Sequence, residues 1–506
     1  MRINRSSGVA GLLALALTLP ACSIGGGGGG DAQSAAGQAV VASGTFVIDN
    51  IDPGSAQGGS AGKELAGQQI YGRLAKPDAT GKLVPDLAES WKPNADVTSW
   101  DFTLRGGLKF SDGSPLTAED VVASFDRLIQ INGPYAANYK GVTAKAGSDT
   151  TVTFTAPAPD PALPSKLTTL FVLPSGVPAD GASYFARPVA SGPFMVESFR
   201  PSAELKMVPN PNYWGGAPKV RSLTIRSIPD VAAKLAALKT GEVDVVWGVP
   251  DDQIPSLRSD SSLKVEAVPS NGNFTMWFNS GTPALKEADV RRALWQAVDF
   301  QTIIKQLYPV TGQPADSPLA PTVFGYAPQA PVAYDPDAAK KALQEAGYPF
   351  DQPLRLQFGQ ASFKPFLQAV VSSWAKIGVK ADLLQKEQAV FIEDLLAMKW
   401  DVNFQLLGTA GYDAATNLGR LYPCAAKRNG YCNPDLDKVL AQAGSAADRE
   451  QRAELYAQAS KIIWDDAVGM FPMTSKVSYV WNKNLSGFTL DALGYPDFSQ
   501  ATVSGS

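Results

Sequence analysis

The chain has 506 residues, too many for one hydrophobic core, since cores stop growing at about 250 to 300 residues and a larger chain divides into lobes. With 45% hydrophobic and 18% charged residues it has the composition of a globular protein, and 44 basic against 48 acidic residues without basic clusters argue against a nucleic-acid partner. The count of zero histidines excludes every triad that relies on imidazole, and it removes the commonest metal ligand, so neither a metal nor a cofactor is expected.

At the N-terminus, Arg2 and Arg5 precede an apolar run over 9–19, shorter than the roughly 20 residues needed to cross a bilayer. This pattern predicts a signal peptide over 1–21. Leu19, Pro20, Ala21 and Cys22 resemble a bacterial lipobox, which makes Cys22 the expected lipid-bearing first residue of the mature chain. Residues 22–44, with six consecutive glycines, read as a flexible tether with a root-mean-square reach of roughly 25 Å. The expected location is the extracytoplasmic face of the cell membrane.

After the tether, 45–48 reads as a strand and 62–71 as a helix. Gly58, Ser60 and Gly62 spell GxSxG, but a serine there has no histidine to activate it. The run TSWDFTLRGGLKF predicts a hairpin turning at Gly106 and Gly107. Thr117 with Asp120 forms a capping-box start for a helix over 118–131, and TTVTFTAP reads as a strand. The stretch 220–246 alternates strand, helix and strand, a β-α-β unit with Gly241 closing its helix. Helices at 335–346 and 363–377, closed by Gly347 and Gly378, alternate with strands at 354–358 and 379–384, a second α/β lobe.

Ser373 with Lys376 spells SxxK, but Lys239, Thr240 and Gly241 (KTG) precede it, the reverse of the acyl-enzyme order, with no SDN element between. A carboxylate pair for glycoside hydrolysis survives the composition count. Cys424 and Cys432 are expected to be bridged in an exported chain, against the alternative of two free thiols; a zinc site would need more ligands than these.

LVPDLAESWKP, KFSDGSPLTAEDVVASFDRL, ASGPFMVESF, VPNPNYWGGAPKV, ALKTGEVDVVWG, ALKEADVRRALWQAVD, YDPDAAKKALQEAGYP and NGYCNPDLDKVL follow one another along the chain. In this order they resemble the extracytoplasmic solute-binding proteins of ABC importers, in the large family 5 that includes oligopeptide and dipeptide binders. The resemblance implies an α/β, two-lobed periplasmic-binding-protein fold of the large class II type, with an extra subdomain in the first lobe. The expected division is 45–75, 185–268 and 473–506 for lobe I, 76–184 for the extra subdomain and 269–472 for lobe II. It further implies a monomer without enzymatic activity, a peptide or similar solute as ligand, and a permease with cytoplasmic ATPases as partner. An oligosaccharide receptor is the alternative within the family; a secreted carboxylate glycosidase and a non-transporting envelope regulatory lipoprotein are the alternatives outside it.

By the same resemblance the ligand segments would be Asp49 with Asn50, 271–278 and 407–417. They offer Asn271, Asn273, Phe274, Trp277, Thr409, Ala410, Tyr412, Asp413 and Asn417. Ungapped alignment anchored on Cys424 puts Ala410 where the peptide binders carry the Asp that pairs with a ligand ammonium, and Asp413 where they commonly carry a second, structural acid. The Arg that holds a dipeptide carboxylate would fall near 357–360, where there is none; Lys364 is the nearest cation in sequence. With both clamps missing or moved, a neutral cleft suited to a peptide backbone or a sugar is expected, and a short zwitterionic peptide is disfavoured.

Overall fold

The computed structural model describes residues 39–45, 47–55, 60–133, 135–181, 183–491 and 494–504, the side chains of Ser60 and Ala410 excepted. The predicted signal peptide, Cys22 and most of the predicted tether lie outside the described residues. No helix among the described residues is long and apolar enough to cross a membrane.

A mixed sheet of 12 strands passes through both lobes. Its first strand is Ala39–Ser43, parallel to Ser222–Arg226 on one side and Val245–Trp247 on the other. This corrects two expectations: residues 39–43, assigned to the tether, are strand, and the first strand lies ahead of 45–48. Val40 and Ala42 are small enough to be fully buried between the faces of the lobe. The chain leaves the sheet at Gly44, where a Cβ would stand 2.0 Å from the Trp247 indole. The expected β-α-β unit is present, with helix Val231–Thr240 ending on a left-handed Gly241, and Ala39–Ser43 inserts between its two strands.

The expected hairpin at Gly106 and Gly107 does not form. Ser99–Leu104 pairs instead with Ala88–Pro93 and Thr151–Thr155, while Lys109 turns back to bridge Pro115. Alternation marked the strand, but its partners are chosen by the aromatic layer of Phe102, Phe125 and Phe154, whose rings meet edge to face at 5.3–5.7 Å. Helix Ala118–Ile131 covers that layer. Asp120 accepts the Thr117 N–H at 2.8 Å at its start, and a left-handed Asn132 ends it.

In the second lobe, Leu354–Phe358 runs parallel to both Ala381–Gln385 and Val402–Gly408, so the carboxyl ends of the three strands share one edge. Ligands of α/β sheets gather at such edges. Helix Lys364–Lys376 connects the first two strands. The lobes are joined by Leu263–Phe278 and Met473–Asn482, antiparallel partners whose register breaks between Pro269 and Asn273. The long strand changes character there, from partly exposed to nine consecutive buried positions, as it passes from one core into the other.

Cys424 and Cys432 are disulfide-bonded with Cα atoms 4.5 Å apart. The loop they close lies against the turn at 279–281, where Ser280 N–H donates to the Asn429 carbonyl at 2.9 Å. Replacing both cysteines with alanine is expected to lower unfolding free energy by about 2.5 kcal/mol, mostly through the entropy of the unfolded chain, as measured by urea titration.

Candidate functional site

The segment 409–417 follows the carboxyl end of Val402–Gly408 and carries most of the predicted ligand residues. Much of its polarity is spent internally. Asn271 donates its side-chain N–H to the Thr409 carbonyl at 2.8 Å, Asn417 donates to Thr409 Oγ1 at 3.0 Å, and Asn273 donates to the Ser317 carbonyl at 3.0 Å. Asp413 is 1% exposed and bidentate with the buried Arg452, which also lies 4.8 Å from the Phe324 ring centre. It also caps the following turn by accepting the Ala415 N–H at 3.0 Å. A carboxylate so committed anchors its own loop, at the wall of a cavity of about 270 Å³ that Trp91, Trp100 and Ser165 close from the other side.

Two predicted ligand residues are core instead. Phe274 is ringed by Tyr308, Phe363, Phe366 and Phe404 at 5.2–5.7 Å, and Trp277 donates its indole N–H to Tyr422 at 3.0 Å inside the second lobe. Both sit where Leu263–Phe278 has become buried on both faces, so neither side of the strand is open to a cleft. Gln357 is likewise buried in that lobe, whereas Lys364 is exposed at a helix start. The side chain of Ala410 lies outside the described residues; its backbone belongs to the single turn Ala410–Tyr412.

That turn packs closely against the first lobe's extra subdomain. Gly411 and Tyr412 both have positive φ, 67° and 55°, and a Cβ on Gly411 would stand 2.6 Å from the Ser165 carbonyl. Across the same seam, a Cβ on Gly81 would stand 2.1 Å from the Thr322 carbonyl and 3.4 Å from the Tyr412 ring. The turn drives Tyr412, 3% exposed, against the first lobe. Burial and then the charge of Asp491 push its hydroxyl pKa well above the usual value, with Arg73, Glu64 and Tyr495 also within electrostatic reach. Its oxygen has no hydrogen-bond partner among the described residues.

The first-lobe groups facing Tyr412 come from helix Ser60–Ile70, the segment after it and the C-terminal region. Glu64 is buried, and its carboxyl pKa is raised by that burial against the opposing pull of Arg73, a hydrogen bond from Tyr135, and Lys63. Arg73 is 6% exposed; its Nη1 reaches only the Thr168 carbonyl, at 3.4 Å, and its guanidinium lies 5.3 Å from the Phe171 ring centre. Among the described residues no carboxylate stands within 4.0 Å of it. Arg73 and Asp491 together line a cavity of about 280 Å³, with Gln68, Tyr71, Lys76 and Tyr213 among its other walls.

Asp49 and Asn50 lie elsewhere. They line a separate hollow of about 590 Å³ with Asp180, Phe185 and Phe199, built from first-lobe residues alone. Asn50 accepts the Asp52 N–H at 2.8 Å and donates to Ser55 at 3.1 Å, the geometry of a polar turn, and Asp52 is fixed by Arg127 at 2.7 Å. The structure therefore brings Asn271, Thr409, Tyr412, Asp413 and Asn417 together without Asp49 and Asn50. Glu64, Arg73 and Asp491 lie within electrostatic reach of Tyr412, and their sequence signal was only a charge set inside the apolar runs KELAGQQIY and IYGRLA, or an acid close to the C-terminus.

Residues 82–429 match the model of the bacterial extracellular solute-binding proteins, family 5. The chain belongs to this family. Its members are solute-binding proteins of ABC transport systems and not enzymes, which removes the hydrolase alternative. A probable D,D-dipeptide-binding periplasmic protein of Escherichia coli is 29% identical over 437 residues, covering 83% of this chain and 84% of that one. The heme-binding protein A of Haemophilus influenzae is 28% identical, with 87% of each chain covered. Among solved structures, the ABC transporter substrate-binding protein CtaP of Listeria monocytogenes superposes with a TM-score of 0.83 at 25% identity, over 93% of this chain and all of the other. The two-lobed fold implied by the sequence blocks is the fold of this family-5 chain.

Proposed function

We propose that this family-5 protein is a lipid-anchored receptor that captures a peptide or peptide-like solute at the seam between its lobes and delivers it to an ABC permease. One observation carries the reading: Tyr412 of the second lobe is buried at the seam beside Gly81, within electrostatic reach of Glu64, Arg73 and Asp491 of the first lobe, so charges of both signs act where the lobes meet. A peptide presents charges and amides of both kinds to such a seam. A neutral oligosaccharide would leave a buried guanidinium without a counter-charge, which is costly. The names of relatives that bind dipeptides support the same class.

The proposed lobe borders, 76–184 for the subdomain and 269–472 for lobe II, are supported to within a residue or two by separate buried clusters, one containing Phe102, Phe154 and Val172 and reaching back to Leu74, the other running from Phe274 to Phe471 and on to Met473. Native mass spectrometry of the protein from its host tests the ligand: a released mass in the range of small peptides is expected, and a sugar mass would overturn the reading. Anchoring through Cys22 is tested independently. Cys22→Ala is expected to release the protein from membranes, because a glycine-rich tether has no affinity for lipid, and retention through a salt wash would overturn the anchor.

A further inference from the structure

We infer that the cavity between the extra subdomain and the second lobe is a seat for a small aromatic carboxylate, its ring among Trp91, Trp100 and Tyr412 and its charge between Lys82 and Arg449. The seat shares no wall residue with the first-lobe cavity that Arg73 lines, and it does not depend on which solute the receptor carries.

The charges of this cavity do not balance. Its walls carry three cations, Lys82, Arg449 and Arg452, and one acid, Asp413. Both oxygens of Asp413 are taken by Arg452, so that pair is spent. Lys82 and Arg449 remain: both are exposed, and among the described residues neither side chain makes an ion pair or a hydrogen bond. Arg449 gains nothing from its own helix either, because it opens Arg449–Asp465 at the end where unpaired N–H groups already place positive charge. Its guanidinium lies instead 4.1 Å from the Phe324 ring centre, and that of Arg452 lies 4.8 Å from the same centre. Lys82 belongs to the subdomain and Arg449 to the second lobe, so the seam brings like charges from both sides to one small space. An anion between them turns that repulsion into attraction.

The apolar walls are already fixed in place. Trp91 and Trp100 stand on the paired strands Ala88–Pro93 and Ser99–Leu104. Trp91 stacks on Phe102 at 6.0 Å, and Trp100 donates its indole N–H to the Asp160 carbonyl at 3.0 Å. Both indoles are only half-buried, unlike the fully buried Phe102 and Phe154 of the same layer, and Tyr412 faces the cavity from the second lobe. Such rings gain most from another flat ring in offset or edge-on contact. An aliphatic acid would forgo that gain, and a neutral aromatic would leave the two cations without an anion. At about 270 Å³ the space lies just below the usual range of ligand pockets, which limits the occupant to one ring system.

The test is calorimetry on the full mature chain, unfolded in urea and refolded to remove resident solute, with phenylacetate, neutral 2-phenylethanol and the saturated acid cyclohexylacetate. Phenylacetate is expected to bind, and each of the others to bind at least tenfold more weakly. In the double variant Lys82→Gln with Arg449→Gln the advantage of phenylacetate over 2-phenylethanol should vanish while its advantage over cyclohexylacetate stays. Trp91→Leu should do the reverse, and if it fails to melt cooperatively the three ligands on the parent protein decide the ring assignment by themselves. Gly81→Ala, which opposes closure of the seam, should weaken phenylacetate at least tenfold, because a seat built from both sides needs them together. Absence of phenylacetate binding, equal binding of 2-phenylethanol, an unchanged preference for the acid in the double variant, or unchanged affinity in Gly81→Ala overturns the site. None of these results touches the receptor reading, which the released mass tests separately.

Discussion

Asp413→Asn is expected to lower the unfolding free energy of the protein by about 3–5 kcal/mol, the usual cost of removing one partner from a buried ion pair. Both side chains are almost wholly buried where the second lobe faces the extra subdomain, and the carboxylate takes two guanidinium N–H groups and a turn N–H. Without its charge, Arg452 would remain buried between the rings of Phe324 and Tyr456 with nothing to balance it. The double change Asp413→Leu with Arg452→Met, which removes both charges, should cost much less. Urea unfolding of the three proteins gives the comparison. The single variant should still respond to N-terminal acetylation of a peptide as the parent does; a lost response would return Asp413 to the ligand.

Gly81→Ala is expected to weaken ligand binding by at least tenfold, about 1.4 kcal/mol, while changing the stability of the unliganded protein little more than the ~1–2 kcal/mol of a left-handed residue. The reason is geometric. The added Cβ would stand 2.1 Å from the Thr322 carbonyl, a contact that exists only where the extra subdomain meets the second lobe. Opening the seam relieves it, so the substitution acts against closure. Scattering should show the variant failing to compact with ligand, and compaction equal to the parent's would defeat the prediction.

What the sequence disclosed followed the range of the forces involved. The helix 118–131 and the β-α-β unit depend on caps and periodicity within a few residues, and both appear where the pattern put them. The pairing of Ser99–Leu104 with Thr151–Thr155 and the insertion of Ala39–Ser43 between two later strands depend on residues far along the chain, about which alternation is silent. The site divides likewise. Thr409, Tyr412 and Asn417 share one loop and come together, as one stretch of sequence must, while Phe274 and Trp277 fall in the core of the second lobe, because their strand is buried on both faces there. Arg73 and Asp491, more than 400 residues apart, become neighbours through the folding of the C-terminal segment onto the first lobe.

The break between Pro269 and Asn273 sets the mechanical character of the molecule. Three residues of the long strand face one residue, Ser475, across the break, and the ladder is replaced by hydroxyls: Ser270 Oγ donates to the Ser475 carbonyl at 2.9 Å and accepts the Gly272 N–H at 3.1 Å. Hydroxyl bonds reorient by a single torsion, whereas ladder bonds shift only with φ and ψ, so bending at this point is compliant. Sliding is not, because a one-residue slip would turn every neighbouring side chain to the wrong face. A joint that resists sliding more than bending favours rotation of one lobe about the other over translation past it, so the faces the two lobes present to a permease would change in angle and not in register.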